Sequence, residues 1–151
     1  MKWLLTVCMW SLTFTTTGAT YEERAVASVL MGEAWSDGFR GMTAVAEVIH
    51  QRSLEKGKSP LQVISAHRRR VHAFSCLNGT MLDRLIQKFA RQPDFKGALR
   101  LAETVCQSPS SLPGLSKAAN HYTRANETPY WARGTRPVAI IGSHAFYKLE
   151  Y

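Results

Sequence analysis

An α+β domain, mainly α and compact with a small β element, is the fold class this sequence predicts. Two observations carry it. Up to residue 106 the apolar residues recur at the spacing of amphipathic helices. A Ser/Pro-rich stretch at 107–116 then ends that period. Beyond it lie aromatic and polar clusters and one β-type run, Val138-Ala139-Ile140-Ile141, stopped by Gly142.

Residues 21–35 read as a helix, with Val26, Val29 and Leu30 on one face. Ser36-Asp37-Gly38 breaks it. A second helix is predicted over 39–54, with Met42, Val45, Ala46 and Ile49 inward and Glu47 turned to solvent. After the loop Lys56-Gly57-Lys58, Ser59 is placed to cap a short helix with Pro60 at its first position. Residues 67–80 look irregular. Two more helices are predicted over 81–89 and 95–106. The stretches Asn120-His121-Tyr122 and Pro129-Tyr130-Trp131 read as loop, and 138–141 as a short strand with Phe146-Tyr147 after it.

The N-terminus predicts export. Lys2 precedes an apolar stretch at 3–14, and Thr17 and Ala19 are small residues suited to a cut after Ala19. The stretch is shorter than the ~20 apolar residues of a membrane span, although an uncleaved anchor is the alternative. The expected organisation is a signal peptide at 1–19 and a single domain at 20–151, delivered to the periplasm, the cell wall or the exterior. Loss of Lys2 takes the formal charge from +8 to +7. A basic exported domain suits an anionic envelope polymer better than nucleic acid, and no nucleic-acid signature is present. The run Arg68-Arg69-Arg70 reads better as a solvated loop or helix face than as part of a binding surface. Cys76 and Cys106 either pair in an oxidising compartment or stay as buried free thiols.

Glu33 is the candidate catalytic residue. It occupies the position of the first helix face where an apolar side chain belongs, after Val26, Val29 and Leu30. A carboxyl on an apolar face is desolvated, which raises its pKa and suits it to general acid work; a frayed helix end would instead turn it to water. Asp37, four residues on, is a possible second carboxylate: helix positions i and i+4 lie roughly 5–6 Å apart at Cβ, near the about 5–5.5 Å carboxyl spacing of retaining glycosidases. Gly38 argues instead for a turn or cap role. Of the 11 acidic residues, Glu22, Glu23, Glu103 and Glu150 are poorly placed. The five histidines show no zinc spacing, so no metal and no cofactor are expected. His121, Tyr122, Tyr130 and Trp131 suit sugar faces, being apolar bodies with polar tips; they could equally pin the second half to the core.

These residues carry a resemblance. Gly32-Glu33-Ala34, Asp37, the run from Gly41 to Ile49 and Arg52 are similar to the opening motif of the SleB-type cell wall hydrolases, which include the spore cortex-lytic enzymes. Phe74-Ser75-Cys76 resembles the middle motif. Asn120-His121-Tyr122, Pro129-Tyr130-Trp131-Ala132 and Ile141-Gly142-Ser143-His144-Ala145-Phe146-Tyr147 resemble the C-terminal signature. The chain departs from the pattern at Trp35, where Arg is frequent, and at 75–78, which lacks Asp-Gly. The resemblance implies a lysozyme-like domain acting on peptidoglycan glycan strands, with Glu33 as the catalytic acid and Phe74, Ser75, His121, Tyr122 and Trp131 as substrate-binding residues. The expected reaction is cleavage between N-acetylmuramic acid and N-acetylglucosamine by lytic transglycosylation, since no firm second carboxylate is in view; hydrolysis with Asp37 or an aided water is the enzymatic alternative, and a silent wall-binding module the non-enzymatic one. The chain is expected to act as a monomer with no stable membrane anchor after leader removal.

Overall fold

The computed structural model of the chain describes residues 18–150. The predicted leader at 1–19 lies outside them except for Gly18 and Ala19. Among the described residues no helix is long and apolar enough to cross a membrane.

Helix α1 (Tyr21–Ala34) starts at a capping box: the Thr20 side chain accepts from the Glu23 amide, and Glu23 accepts from the Thr20 amide at 2.8 Å. These reciprocal bonds satisfy two amides that a helix start otherwise leaves open. Glu22 accepts from the Leu61 amide at 2.8 Å, so both acids at the helix start are structural. Helix α2 (Gly38–Lys56) ends at Gly57, whose φ of 58° is the left-handed cap geometry that glycine adopts without a Cβ penalty. Helix α3 (Pro60–Ile64) has the predicted Ser59 cap, completed by Gln62, with Pro60 at its first position. Helices α4 (Leu82–Phe89) and α5 (Phe95–Gln107) match the two later periodic stretches.

Helix α1 is the hub, packed against α2, α4 and α5. Val26, Val29, Leu30, Val45, Val48 and Ile49 are fully buried, and Phe74 and Phe146 are fully buried in the same cluster. Each such side chain contributes about 1.5–3 kcal/mol by leaving water. The chain is thus α+β and mainly α, as its periodicities predict.

Three expectations need correction. Glu47 does not face solvent. It is 6 % exposed, and its two carboxylate oxygens accept from the Leu115 amide at 2.8 Å and the Ser116 amide at 2.6 Å. Helix α2 is buried on every side from Gly41 to Ile49, so the side opposite its apolar stripe meets the 112–119 connection rather than water. Residues 67–80 are not irregular throughout: β1 (His67–Arg68) and β2 (Val71–His72) form an antiparallel hairpin, followed by a 3-10 turn at Ser75–Leu77. The stretch after Asn120 is not loop but strand β3 (His121–Arg124). It pairs with β5 (His144–Tyr147), which pairs on its other edge with β4 (Ala139–Ile141), in the order β3-β5-β4. Cys76 and Cys106 are both free. Burial pushes the Cys106 thiol up to about 12, so it stays protonated.

Candidate active site

The site forms where the end of α1 meets the Ser75–Leu77 turn and the face of the small sheet. Glu33 lies in the last turn of α1 and is half-buried. Its Oε1 accepts from the Cys76 amide at 2.7 Å and the Ser75 hydroxyl at 3.1 Å; its Oε2 accepts from the Tyr122 hydroxyl at 2.7 Å. The carboxyl therefore leaves the apolar stripe of Val26, Val29 and Leu30 for a polar cradle. Three donors from two elements define its position, and the side facing the cleft stays open.

Gly32 is what lets the turn come close. A Cβ at residue 32 would lie 2.7 Å from the Cys76 Cβ, far inside van der Waals contact. The glycine before Glu33 thus admits the backbone that supplies the Cys76 amide. Burial, then the neighbouring Glu33 carboxylate, push the Cys76 thiol up, so this cysteine is inert and serves through its amide.

Tyr122 is held from the sheet. Its ring packs against Phe74, Phe146 and His144 at centroid distances of 6.4, 5.7 and 5.5 Å. Burial and the Glu33 charge push its phenol well above the usual range, so it donates to Glu33 at any working pH. Phe74 is fully buried. It supports Tyr122 and lies under the Arg52 guanidinium at 5.2 Å; it has no surface to offer a sugar, which corrects its expected contact role.

Strand alternation separates the remaining aromatics. Tyr122 registers with Phe146 and Arg124 with His144, whereas His121 registers with Tyr147. Successive side chains of a strand point to opposite faces. His121 and Trp131 therefore sit with Tyr147 on the far face, at centroid distances of 5.2 Å between the first two and 5.5 Å from Trp131 to Tyr147. Of the expected substrate-binding aromatics His121, Tyr122 and Trp131, Tyr122 alone reaches Glu33. His121 and Trp131 pack a small second cluster instead. Burial, then the Arg52 and Lys56 charges, lower His121 to about 4.

Asp37 is engaged elsewhere. Its Oδ1 accepts from the Ser143 amide at 2.9 Å; its Oδ2 meets the Ser143 hydroxyl at 2.9 Å and His144 Nδ1 at 2.7 Å. Its side chain is 7 % exposed. Burial alone would raise its pKa, but the Ser143 and His144 hydrogen bonds outweigh it and hold the carboxyl low. The turn at Gly142 approaches so closely that a Cβ there would collide with the Asp37 carboxylate, and its φ of 57° suits glycine. Asp37 is thus the clasp that fastens the β4–β5 hairpin to the α1–α2 corner.

A cavity of about 390 Å³ opens on Glu33, walled by Arg52, Ser75, Tyr122, Arg124, Glu127 and His144. A second hollow of about 460 Å³ adjoins it, sharing Glu33, Arg124 and His144 and adding Ser36, Asn126 and Ser143. Glu33 stands at the junction of two lobes of one open groove. Arg124 and Glu127 escape a reading by motif, because only the β3–β5 register brings that end of β3 to the groove. Among the described residues no group of three His, Cys, Asp or Glu side chains gathers as a metal site.

Residues 36–147 match the family model described as Cell Wall Hydrolase. The match covers the sheet, the Asp37 clasp and the 75–77 turn, and it begins just after Glu33. No curated protein matches the chain, and no solved structure matches it.

Proposed function

This chain belongs to the cell wall hydrolase family, and on that premise we propose that it cleaves the β-1,4 bond between N-acetylmuramic acid and N-acetylglucosamine in peptidoglycan, with Glu33 moving the proton. The observation that carries the reading is the cradle of Glu33. A carboxyl fixed by the Cys76 amide, Ser75 and Tyr122 at the junction of two groove lobes supports this reading, in which it would meet the bond between two sugars, one in each lobe.

In the proposed reaction, protonated Glu33 gives its proton to the glycosidic oxygen as the bond to the anomeric carbon breaks. The ionised Glu33 then takes the proton of the muramoyl 6-hydroxyl, whose oxygen attacks that carbon. The product carries a 1,6-anhydro ring, and Glu33 returns to its starting state. This route needs a single carboxyl, which fits the commitment of both Asp37 oxygens to Ser143 and His144. The second reading is hydrolysis, favoured by Glu127, a carboxylate in the wall of the Glu33 cavity and therefore available to activate a water. Both place the action outside the cytoplasm, in keeping with the leader expected at 1–19 and with the family.

Glu33→Gln tests the role of the carboxyl. It keeps the side-chain shape but cannot cycle a proton. Glycan fragments released from purified sacculi should fall at least about 100-fold, the loss expected for a missing acid–base group. Release at the wild-type rate would remove Glu33 from the chemistry.

A further inference from the structure

We propose that the β1–β2 hairpin is a second substrate-contact surface, binding the carboxylates of peptide stems on the glycan strand that lies in the Glu33 groove. The inference rests on the peptidoglycan reading above and adds to it a binding site outside the groove.

Five observations carry it. Arg68, Arg69 and Arg70 are all exposed at the hairpin tip. Arg69 and Arg70 both adopt left-handed backbone, at φ 48° and 68°. Two-residue turns of this kind favour Asn-Gly, because a side chain with a Cβ is strained there. The chain instead keeps two charged side chains at the tip, against its local backbone preference.

Next to the tip lies a hollow of about 560 Å³, lined in part by Lys56, Arg68 and Arg69 and by no acidic side chain. Ala73 lines both this hollow and the Glu33 cavity, so the basic surface continues directly from the groove. The hairpin is also anchored: the His72 amide donates to Asn78 at 2.8 Å, and the Ala73 amide to the Ala66 carbonyl at 2.9 Å. A strand threaded past Glu33 would carry its stems, which end in carboxylates, across a fixed positive rim.

The test is the triple variant Arg68→Gln/Arg69→Asn/Arg70→Gly. Asn-Gly suits the turn, so the hairpin keeps its geometry while losing its charge, and an unchanged or higher Tm verifies that. Initial rates are measured on native sacculi and on sacculi whose carboxyls have been amidated with a carbodiimide and ammonia. The expected result is a KM about tenfold higher on native sacculi at low salt with kcat unchanged, a modest value for three screened charges. Amidation should raise the wild-type KM by a similar factor and leave the variant unaffected. Arg68→Gln alone, outside the turn, should shift KM the same way by less. A variant KM within twofold of wild type overturns the proposal. So does a wild-type KM indifferent to amidation, which would assign the hairpin to another anion. Wild-type protein that cleaves neither preparation overturns the peptidoglycan reading, and this proposal with it.

Discussion

Removing the Tyr122 hydroxyl tests whether the cradle of Glu33 serves catalysis or only folding. In Tyr122→Phe the ring keeps its contacts with Phe74, Phe146 and His144, and only the 2.7 Å bond to Glu33 Oε2 is lost. Oε1 remains held by Cys76 and Ser75, so the carboxyl can pivot about that anchored oxygen. A hydrogen bond to a charged group is worth about 1.5–3 kcal/mol, and a displacement of about 1 Å at a reacting group costs on the order of 100-fold. Both routes predict a kcat lower by roughly 10- to 100-fold. Stability should change little, because Glu33 borders an open cavity and water replaces the lost donor. A Tm drop of no more than a few degrees is expected for a change below about 1 kcal/mol. The assay pairs muropeptide release from sacculi with a thermal melt. Full kcat in Tyr122→Phe would strip the hydroxyl of its catalytic role. A loss of activity that merely tracks a fall in Tm to the assay temperature would do the same.

The packing sets further outcomes. Gly32→Ala places a methyl group against Cys76, where the available distance is 2.7 Å; it should cost about 1–3 kcal/mol and reduce activity, both read from a denaturant titration and a sacculus assay. Glu47→Ala leaves the part-buried Leu115 amide and the buried Ser116 amide without their acceptor and should cost about 2–3 kcal/mol, lowering the unfolding midpoint without changing KM in protein that stays folded. His121 is lowered to about 4 in the folded protein by burial and by Arg52 and Lys56, against an ordinary value of about 6.5. The unfolded state therefore takes up the proton first, and stability should fall as pH drops from about 6.5 towards 4; Tm measured across that window should fall for wild type and flatten in His121→Phe.

Local signals in the residue order reach far into this fold. The stripe Val26, Val29, Leu30 places α1 and makes Glu33 stand out, and Ser59 before Pro60 places the start of α3. Helical spacing and capping chemistry set both. The features that escape the residue order are non-local. Glu47 reads as a surface charge because periodicity reports one packed face, and nothing in α2 shows that the 112–119 connection covers the other. His121 and Trp131 match a family signature, but adjacent residues of a strand cannot both face Glu33; only the β3–β5 register decides that Tyr122 does. The β1–β2 hairpin gives no turn signal, because Arg69 and Arg70 stand where Asn and Gly would mark one. Asp37 is notable from its spacing to Glu33, yet the partner that explains it, Ser143, lies 106 residues away.

The mass of the cut ends reports the bond and the mechanism together. Sacculi from one preparation are digested with wild-type protein, and the soluble fragments are separated and weighed by mass spectrometry. Transglycosylation by Glu33 should yield disaccharide-peptides ending in 1,6-anhydro-muramic acid, each lighter by one water than its hydrolysed counterpart. Reducing muramoyl ends would keep glycosidic cleavage and transfer the second step to a water beside Glu127. Free stem peptides released from intact glycan would overturn glycosidic cleavage altogether, because the bond cut would then be an amide and the cradle of Glu33 would need another purpose.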